Sequence, residues 1–175
     1  MLYNVLMEIK STLTNRSGQV LNVVYREGDP LADLGDKILQ GVHAFCFYEN
    51  RLVVVYAEEK GYWAPPGGGI EPNESIERAV IREVKEETNM KVLSQELIGY
   101  QDIYEPDRVI RQTRSFCIVE PIGDFISDPD GEISEIKLID PKDYKQYFDW
   151  GEIGERIMKR AMELQATKTY YINSA

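Results

Sequence analysis

Sulfur and imidazole are scarce in this chain: two cysteines and one histidine stand among 175 residues. That count excludes a disulfide scaffold. It also argues against a zinc centre, because His43 and Cys46 lie three apart in a strand-like stretch and would face opposite sides of it. Cys46 and Cys117 each sit in an apolar run and read as small core residues of a reducing, cytoplasmic protein. Long hydrophobic runs are also lacking. No stretch approaches the roughly eighteen apolar residues that a membrane helix needs. The opening "MLYNVLMEIKSTLTN" has neither the basic start nor the apolar centre of a signal peptide. Positive charge is the minority sign, with 20 Lys and Arg against 30 Asp and Glu and a net charge of −10. That balance argues against a nucleic-acid polymer as partner, since a phosphate backbone selects a basic face. A small anionic ligand stays open if a divalent cation supplies the missing charge. Internal repeats and low-complexity segments are absent too.

What is present is an ordinary globular balance, 43% apolar and 29% charged, and a length that suits one domain over 1–175. Residues 1–38 read as two strands, "VLMEIKSTL" and "GQVLNVVYRE", around the turn "TNRSG", followed by a polar connection. "GVHAFCFYENRLVVVYAEE" reads as a hairpin turning at Glu49-Asn50-Arg51. "KGYWAPPGGGIEPN" reads as a loop. A helix is expected over Glu74–Thr88, with Asn73 as N-cap and Asn89 as a left-handed C-terminal stop. Further strands are expected in "KVLSQELIGYQDIY", "TRSFCIVEPI" and "IKLID", and a helix start in "PKDYKQYF". An amphipathic helix is expected over 152–166, on the stripe Ile153, Ile157, Ala161 and Leu164. Strands before, between and after helices make the fold class α/β (α+β), a layered sandwich.

The helix over 74–88 carries the chemistry. At about 100° per residue, Ile76, Ala79 and Val80 form an apolar side. Glu83 and Glu87 fall in that sector and Glu86 at its edge, while Glu74, Arg78 and Lys85 lie opposite, with Glu74 and Arg78 placed to pair. A merely solvated helix would put its glutamates on the far side with a cation four residues away. Here Glu83 and Glu87 are a like-charge pair next to the core, which a bound cation would relieve. Carboxylates without sulfur or imidazole point to a hard cation, Mg²⁺ or Mn²⁺. The preceding Gly67, Gly68 and Gly69, braced by Pro65 and Pro66, have no side chain to block close approach of the backbone to a ligand.

This stretch resembles the Nudix box of the Nudix hydrolases. Gly68 opens it, and Glu74 follows after five residues. Arg82 and Glu83 come after seven more, then the aliphatic Val84, then Glu86 and Glu87, with Met90 closing 23 residues. Asn89 replaces the usual Gly, a change the left-handed position tolerates. The resemblance implies a Nudix-type α-β-α sandwich with a mixed sheet, the box forming a loop-helix-loop. It implies hydrolysis of a nucleoside diphosphate linked to another group. It implies Glu83, Glu86 and Glu87 as metal ligands together with the Gly67 carbonyl, and Arg82 as the group that orients Glu83. Glu74 reads as structural.

Outside the box, Glu132 is the preferred general base, with Glu135 second, in the polar loop of "DGEISEIKL". Gly68, Gly69, Trp63 and Arg114 are the candidate substrate contacts: Trp63 by stacking on a base, Arg114 by gripping phosphate, with Arg108 and Arg111 beside it in sequence. The stretch "GYWAPPGGGIEPNES" looks more like branches that act on (deoxy)nucleoside triphosphates. Pro106, sixteen residues beyond Met90, is instead a mark of the ADP-ribose branch. The first reading is preferred. An ADP-ribose or nucleotide-sugar pyrophosphatase and a non-catalytic regulatory module are the alternatives. A homodimer is left open.

Overall fold

The computed structural model describes residues 7–173. The first six residues, part of the opening strand and leader reading, lie outside that span. Nine strands form one sheet: β1 (Glu8–Thr14), β2 (Val20–Arg26), β3 (Ile38–Tyr48), β4 (Arg51–Ala57), β5 (Tyr62–Ala64), β6 (Gly67–Gly69), β7 (Met90–Tyr104), β8 (Val109–Pro121) and β9 (Ile133–Ile139). Their order is β1-β2-β7-β8-β3-β4-β5, with β6 on β3 and β9 on β4. The β3–β8 pair is parallel and the others are antiparallel, so the sheet is mixed. One helix covers each face. Helix α1 (Ile76–Thr88) seats Ala79, Val80 and Val84 on Val42, Ala44, Cys46 and Cys117. Helix α2 (Gly151–Asn173) seats Ile153, Ile157, Ala161 and Leu164 on Phe45, Phe47 and Phe116. Alternation along β3 does this, since odd positions face α2 and even ones face α1. This is the expected α-β-α sandwich, and both cysteines are buried and free.

Local chemistry explains most boundaries. Glu49 and Asn50 both take positive φ, 45° and 64°, as a two-residue hairpin turn between right-twisted strands requires. Four expectations need correction. The stretch expected as a loop contains β5 and β6, because Trp63 pairs with Tyr56 of β4, and Gly67, Gly68 and Gly69 pair with His43, Val42 and Gly41 of β3. Helix α1 begins at Ile76 with Ser75 as N-cap, its hydroxyl accepting from Arg78 N–H at 3.3 Å; Asn73, at φ 65°, belongs to the turn before it. The segment after Asp140 forms a 3₁₀ turn, Pro141–Gln146, in place of an α-helix. Strand β9 starts at Ile133, so Glu135 lies in a strand and pairs with Lys137 at 3.4 Å, away from the loop it was assigned to.

Candidate active site

Helix α1 carries its carboxylates at the border of the core. Its apolar stripe fixes the rotation, and that rotation leaves Glu83 only 9% and Glu87 only 6% exposed. Asn89 ends the helix at φ 53°, ψ 37°, the left-handed stop read from the sequence.

Arg82 is the hub. Its Nε and Nη2 donate to the two Glu74 oxygens, each at 2.9 Å, a bidentate pair. Nη1 donates to Glu83 Oε1 at 2.8 Å and to Glu86 Oε2 at 3.1 Å, and Nη2 reaches the Gly69 carbonyl at 2.7 Å. The expected Glu74–Arg78 pair is therefore replaced. Glu74 precedes the helix, so the wheel does not apply to it, and its chain turns back toward Arg82. Hydrogen bonds from Arg82 lower the Glu74 pKa. Burial raises that of Glu83 in spite of the same arginine. Glu87 has no such partner; its Oε2 accepts from Gly67 N–H at 2.8 Å, and burial pushes its carboxyl up to about 8.

Beneath these side chains runs the glycine strand β6. A Cβ on Gly67 would stand 2.2 Å from the Val42 carbonyl oxygen, and one on Gly68 would stand 2.5 Å from Glu83 Oε1. A side chain at Gly67 would meet the β3 backbone, and one at Gly68 would displace the Glu83 carboxylate held by Arg82.

The third wall is the loop before β9. Asp128, buried, accepts from the backbone N–H groups of Asp130, Glu132 and Ile133 at 3.0–3.1 Å, which folds the loop over the box. Glu132 meets Lys60 at 3.2 Å, across from the β4–β5 turn. A cavity of about 290 Å³ results, lined by Gly67, Gly68, Gly69, Glu83, Glu86 and Glu87, and by Lys60, Asp128, Asp130 and Glu132. Glu132 thus shares the cavity with the box residues. The sequence reading missed Lys60, Asp128 and Asp130. "DPDG" does announce an aspartate-held turn, but Lys60 carries no local signal.

The remaining candidates are used differently. Trp63 is packed among Tyr56 and Tyr147, and Lys137 Nζ lies 4.4 Å over its ring, so a stacking face would have to be cleared. Arg108 pairs with Glu105 outside the cavity. Arg111 is fully buried on Asp102 and Asp33. Arg114 is 3% exposed on the α2 face, donating to the Thr113 carbonyl at 3.0 Å and lying 3.3 Å from His43 Nδ1. Its Nε has no partner, and burial lowers its pKa to about 10. Burial first, then Arg114 and Lys60, hold His43 well below its usual pKa, so it is neutral.

Among the described residues, no three carboxylates, thiols or imidazoles are already drawn into a metal cage. The box carboxylates are committed to Arg82 and to Gly67 N–H. The donor set still fits a hard divalent cation: the cavity offers carboxylate and carbonyl oxygens without sulfur or imidazole, and Glu87 is a buried acid in need of a positive partner. The chain thus combines a mixed sheet between two helices with an oxygen-lined cavity on a glycine strand and a glutamate helix. The NUDIX domain family matches residues 38–161, and the chain belongs to that family, whose members generally use divalent metal ions. It is 33% identical over 81 residues to the putative 8-oxo-dGTP diphosphatase YtkD of Bacillus subtilis, covering 46% of this chain and 51% of that protein. It is 36% identical over 63 residues to an ADP-ribose pyrophosphatase of Methanocaldococcus jannaschii, covering 34% of this chain and 36% of that one. The chain thus spans about half or less of these two relatives. The fold is shared with the pyrophosphohydrolase BsRppH of Bacillus subtilis at a TM-score of 0.65 and 21% identity, over 87% of this chain and 96% of that one. No helix among the described residues is long and apolar enough to cross a membrane.

Proposed function

We propose that the chain hydrolyses a phosphoric anhydride in a nucleoside diphosphate derivative, with Mg²⁺ or Mn²⁺, and that a (deoxy)nucleoside triphosphate is its substrate. The observation that carries this reading is the small cavity where Glu83, Glu86 and Glu87 meet the glycine strand and the Asp128–Glu132 loop. Its volume suits a phosphate chain, with the base left outside. The metal ligands would be Glu83, Glu86, Glu87 and the Gly67 carbonyl. When bound, the cation would neutralise phosphate charge and acidify a water.

The protein's own part is positioning and charge. Arg82 holds Glu83 and Glu86 in fixed orientation. Gly68 and Gly69 let the phosphate chain lie against the backbone. Glu132, which lines the cavity, would accept a proton from water. Arg114, expected to grip phosphate, is buried outside this cavity and is left out of the proposed contacts. The chemistry is positioning and electrostatics. Two free buried cysteines suit a reducing, cytoplasmic compartment.

The resemblance to the putative 8-oxo-dGTP diphosphatase supports the triphosphate reading. The ADP-ribose pyrophosphatase relative favours the second reading, cleavage of ADP-ribose or a nucleotide sugar. A regulatory module without turnover would not need every box glutamate kept. A panel of nucleoside triphosphates, 8-oxo-dGTP, ADP-ribose and nucleotide sugars, assayed with Mg²⁺ for phosphate-containing products, tests the proposal. Release of pyrophosphate from a triphosphate is the expected result. Turnover of ADP-ribose alone, or of nothing, overturns it.

A further inference from the structure

Ten residues line the cavity, six of them carboxylates, and Lys60 is the one cation among these described residues. Arg82 cannot serve a ligand in the same way, because its donors are already spent on Glu74, Glu83, Glu86 and the Gly69 carbonyl. Lys60 is held differently. Its turn is anchored to the opposite loop by Glu58 N–H donating to the Glu132 carbonyl at 3.3 Å, and β4 continues that contact through the Ala57–Ile133 pair. Its side chain is 33% exposed and makes an ion pair at 3.2 Å with Glu132, itself 57% exposed.

An ion pair between groups that exposed contributes little and is readily exchanged. A terminal phosphate group, with close to two negative charges, attracts an ammonium more strongly than one carboxylate does, and an ammonium on a flexible stem can follow it over some distance.

Resting on the function proposed above, we propose that Lys60 is the phosphate handle of this site. It exchanges Glu132 for a phosphate oxygen of the bound polyphosphate, and this exchange releases the Glu132 carboxylate into the cavity. Substrate binding and the freeing of Glu132 are then one event. An acidic cavity gains a specific cation for the portion of the phosphate chain that the box does not hold.

The test pairs binding with kinetics in the full chain. Pyrophosphate binding in Mg²⁺ is measured by calorimetry, and KM and kcat with a deoxynucleoside triphosphate, for the wild type, Lys60→Met, Lys60→Arg, Glu132→Gln and the Lys60→Met/Glu132→Gln double variant. Lys60→Met should weaken pyrophosphate binding and raise KM by about 10- to 100-fold, the scale of a lost hydrogen bond to a charged group. Lys60→Arg should recover most of it. Glu132→Gln should tighten pyrophosphate binding several-fold, and that gain should vanish without Lys60. Lys60→Met that binds pyrophosphate like the wild type overturns the inference, as does a gain from Glu132→Gln that persists in the double variant. Melting temperatures of the variants, expected to match the wild type at so exposed a pair, separate loss of the handle from loss of the fold. If pyrophosphate binding depends on Lys60 as described but no nucleotide is turned over, Lys60 stands as the handle and the proposed hydrolysis fails.

Discussion

Arg82 and Arg111 each gather several oxygen acceptors, but the charge around them is balanced differently. Arg111 sits fully buried over the Tyr100 ring, bidentate to Asp102 at 2.7 and 2.8 Å and bonded to Asp33 at 2.8 Å. Arg26 at 3.3 Å and Lys37 at 3.9 Å also approach Asp102. Three cations there match three carboxylates, since Arg26 also meets Glu8 at 2.8 Å, and no ligand is needed. Arg82 alone answers Glu74, Glu83 and Glu86, and Glu87 lies beyond its reach. The first cluster is closed, and removing one of its partners would strand a buried charge. The second carries surplus negative charge beside a cavity and has the character of a site waiting for a cation. Surplus charge, more than the number of ion pairs, separates the two.

Breaking the second cluster should cost activity. Glu86→Gln removes a proposed metal ligand together with its charge. It is expected to lower kcat/KM by about 10³- to 10⁴-fold, since a catalytic metal supplies several kcal/mol. Excess chelator should abolish turnover of the wild type. Steady-state kinetics at saturating Mg²⁺ checks both; full turnover in chelator would sink the metal reading. Breaking the first cluster should cost stability instead. Arg111→Met leaves Asp102 buried with only the more distant Arg26 and Lys37, a loss of about 3–5 kcal/mol. Thermal melting should shift down by about 10 °C or more, while kcat of the protein that stays folded is unchanged. If kcat falls with the melting temperature, the two clusters are coupled and the contrast fails.

Much of this contrast was legible in the sequence, and for a physical reason. Glu83, Glu86 and Glu87 share one helix whose rotation is set by Val80 and Val84, so spacing alone places them. Asn89 and the Glu49-Asn50 turn were legible because few residues tolerate positive φ. What failed depends on contacts far apart in the chain. Glycine and proline have low strand propensity, yet Gly67–Gly69 pair with β3, and at Gly67 the Val42 and His43 backbone leaves no room for a side chain. Glu74 was assigned to Arg78 on a wheel that does not extend to a residue before the N-cap. Lys60 and Glu132 meet from 72 positions apart, and no local pattern announces such a pair. Arg111 was read with Arg114 as a phosphate candidate, and only the fold shows Asp102 and Asp33 closing on it.

The pH dependence of stability sharpens the same comparison. Glu87 has its carboxyl raised by burial to about 8 in the folded chain without metal, against an ordinary value near 4.5. Between these values the unfolded chain has lost the proton that the folded chain keeps. Stability from this group is full below about pH 4.5 and is lost as pH rises through about 8. The metal-free protein should therefore lose up to a few kcal/mol across that window, and Mg²⁺ should restore it increasingly toward the alkaline end. Denaturant melts at pH 5 and pH 8, with and without Mg²⁺, read this directly. A metal-free protein equally stable at both values would place a cation beside Glu87 already and remove the argument from surplus charge.

The smallest effect is expected at Asn89, where the box departs from its usual glycine. Glycine is the better residue in the left-handed conformation, a gain of about 0.4–1 kcal/mol. The Asn89 side chain, however, donates to the Asp124 carbonyl at 2.9 Å, and its own carbonyl accepts from Ile122 N–H at 3.0 Å. Only the first of these is lost in Asn89→Gly, a cost of about 0.5–1.5 kcal/mol that exposure to water keeps at the lower end. Gain and loss nearly cancel, so the melting temperature should move by no more than about 2 °C. The loop leaving Asp124 toward Asp128 should feel the change more than the helix does, because its first anchor is gone while the helix keeps its stop. Faster amide exchange over residues 122–130 at an unchanged melting temperature is the expected signature. A drop of about 5 °C or more would show that the Asn89–Asp124 bond outweighs the backbone preference, and that asparagine is kept here to tie the box helix to the loop that bears Asp128 and Glu132.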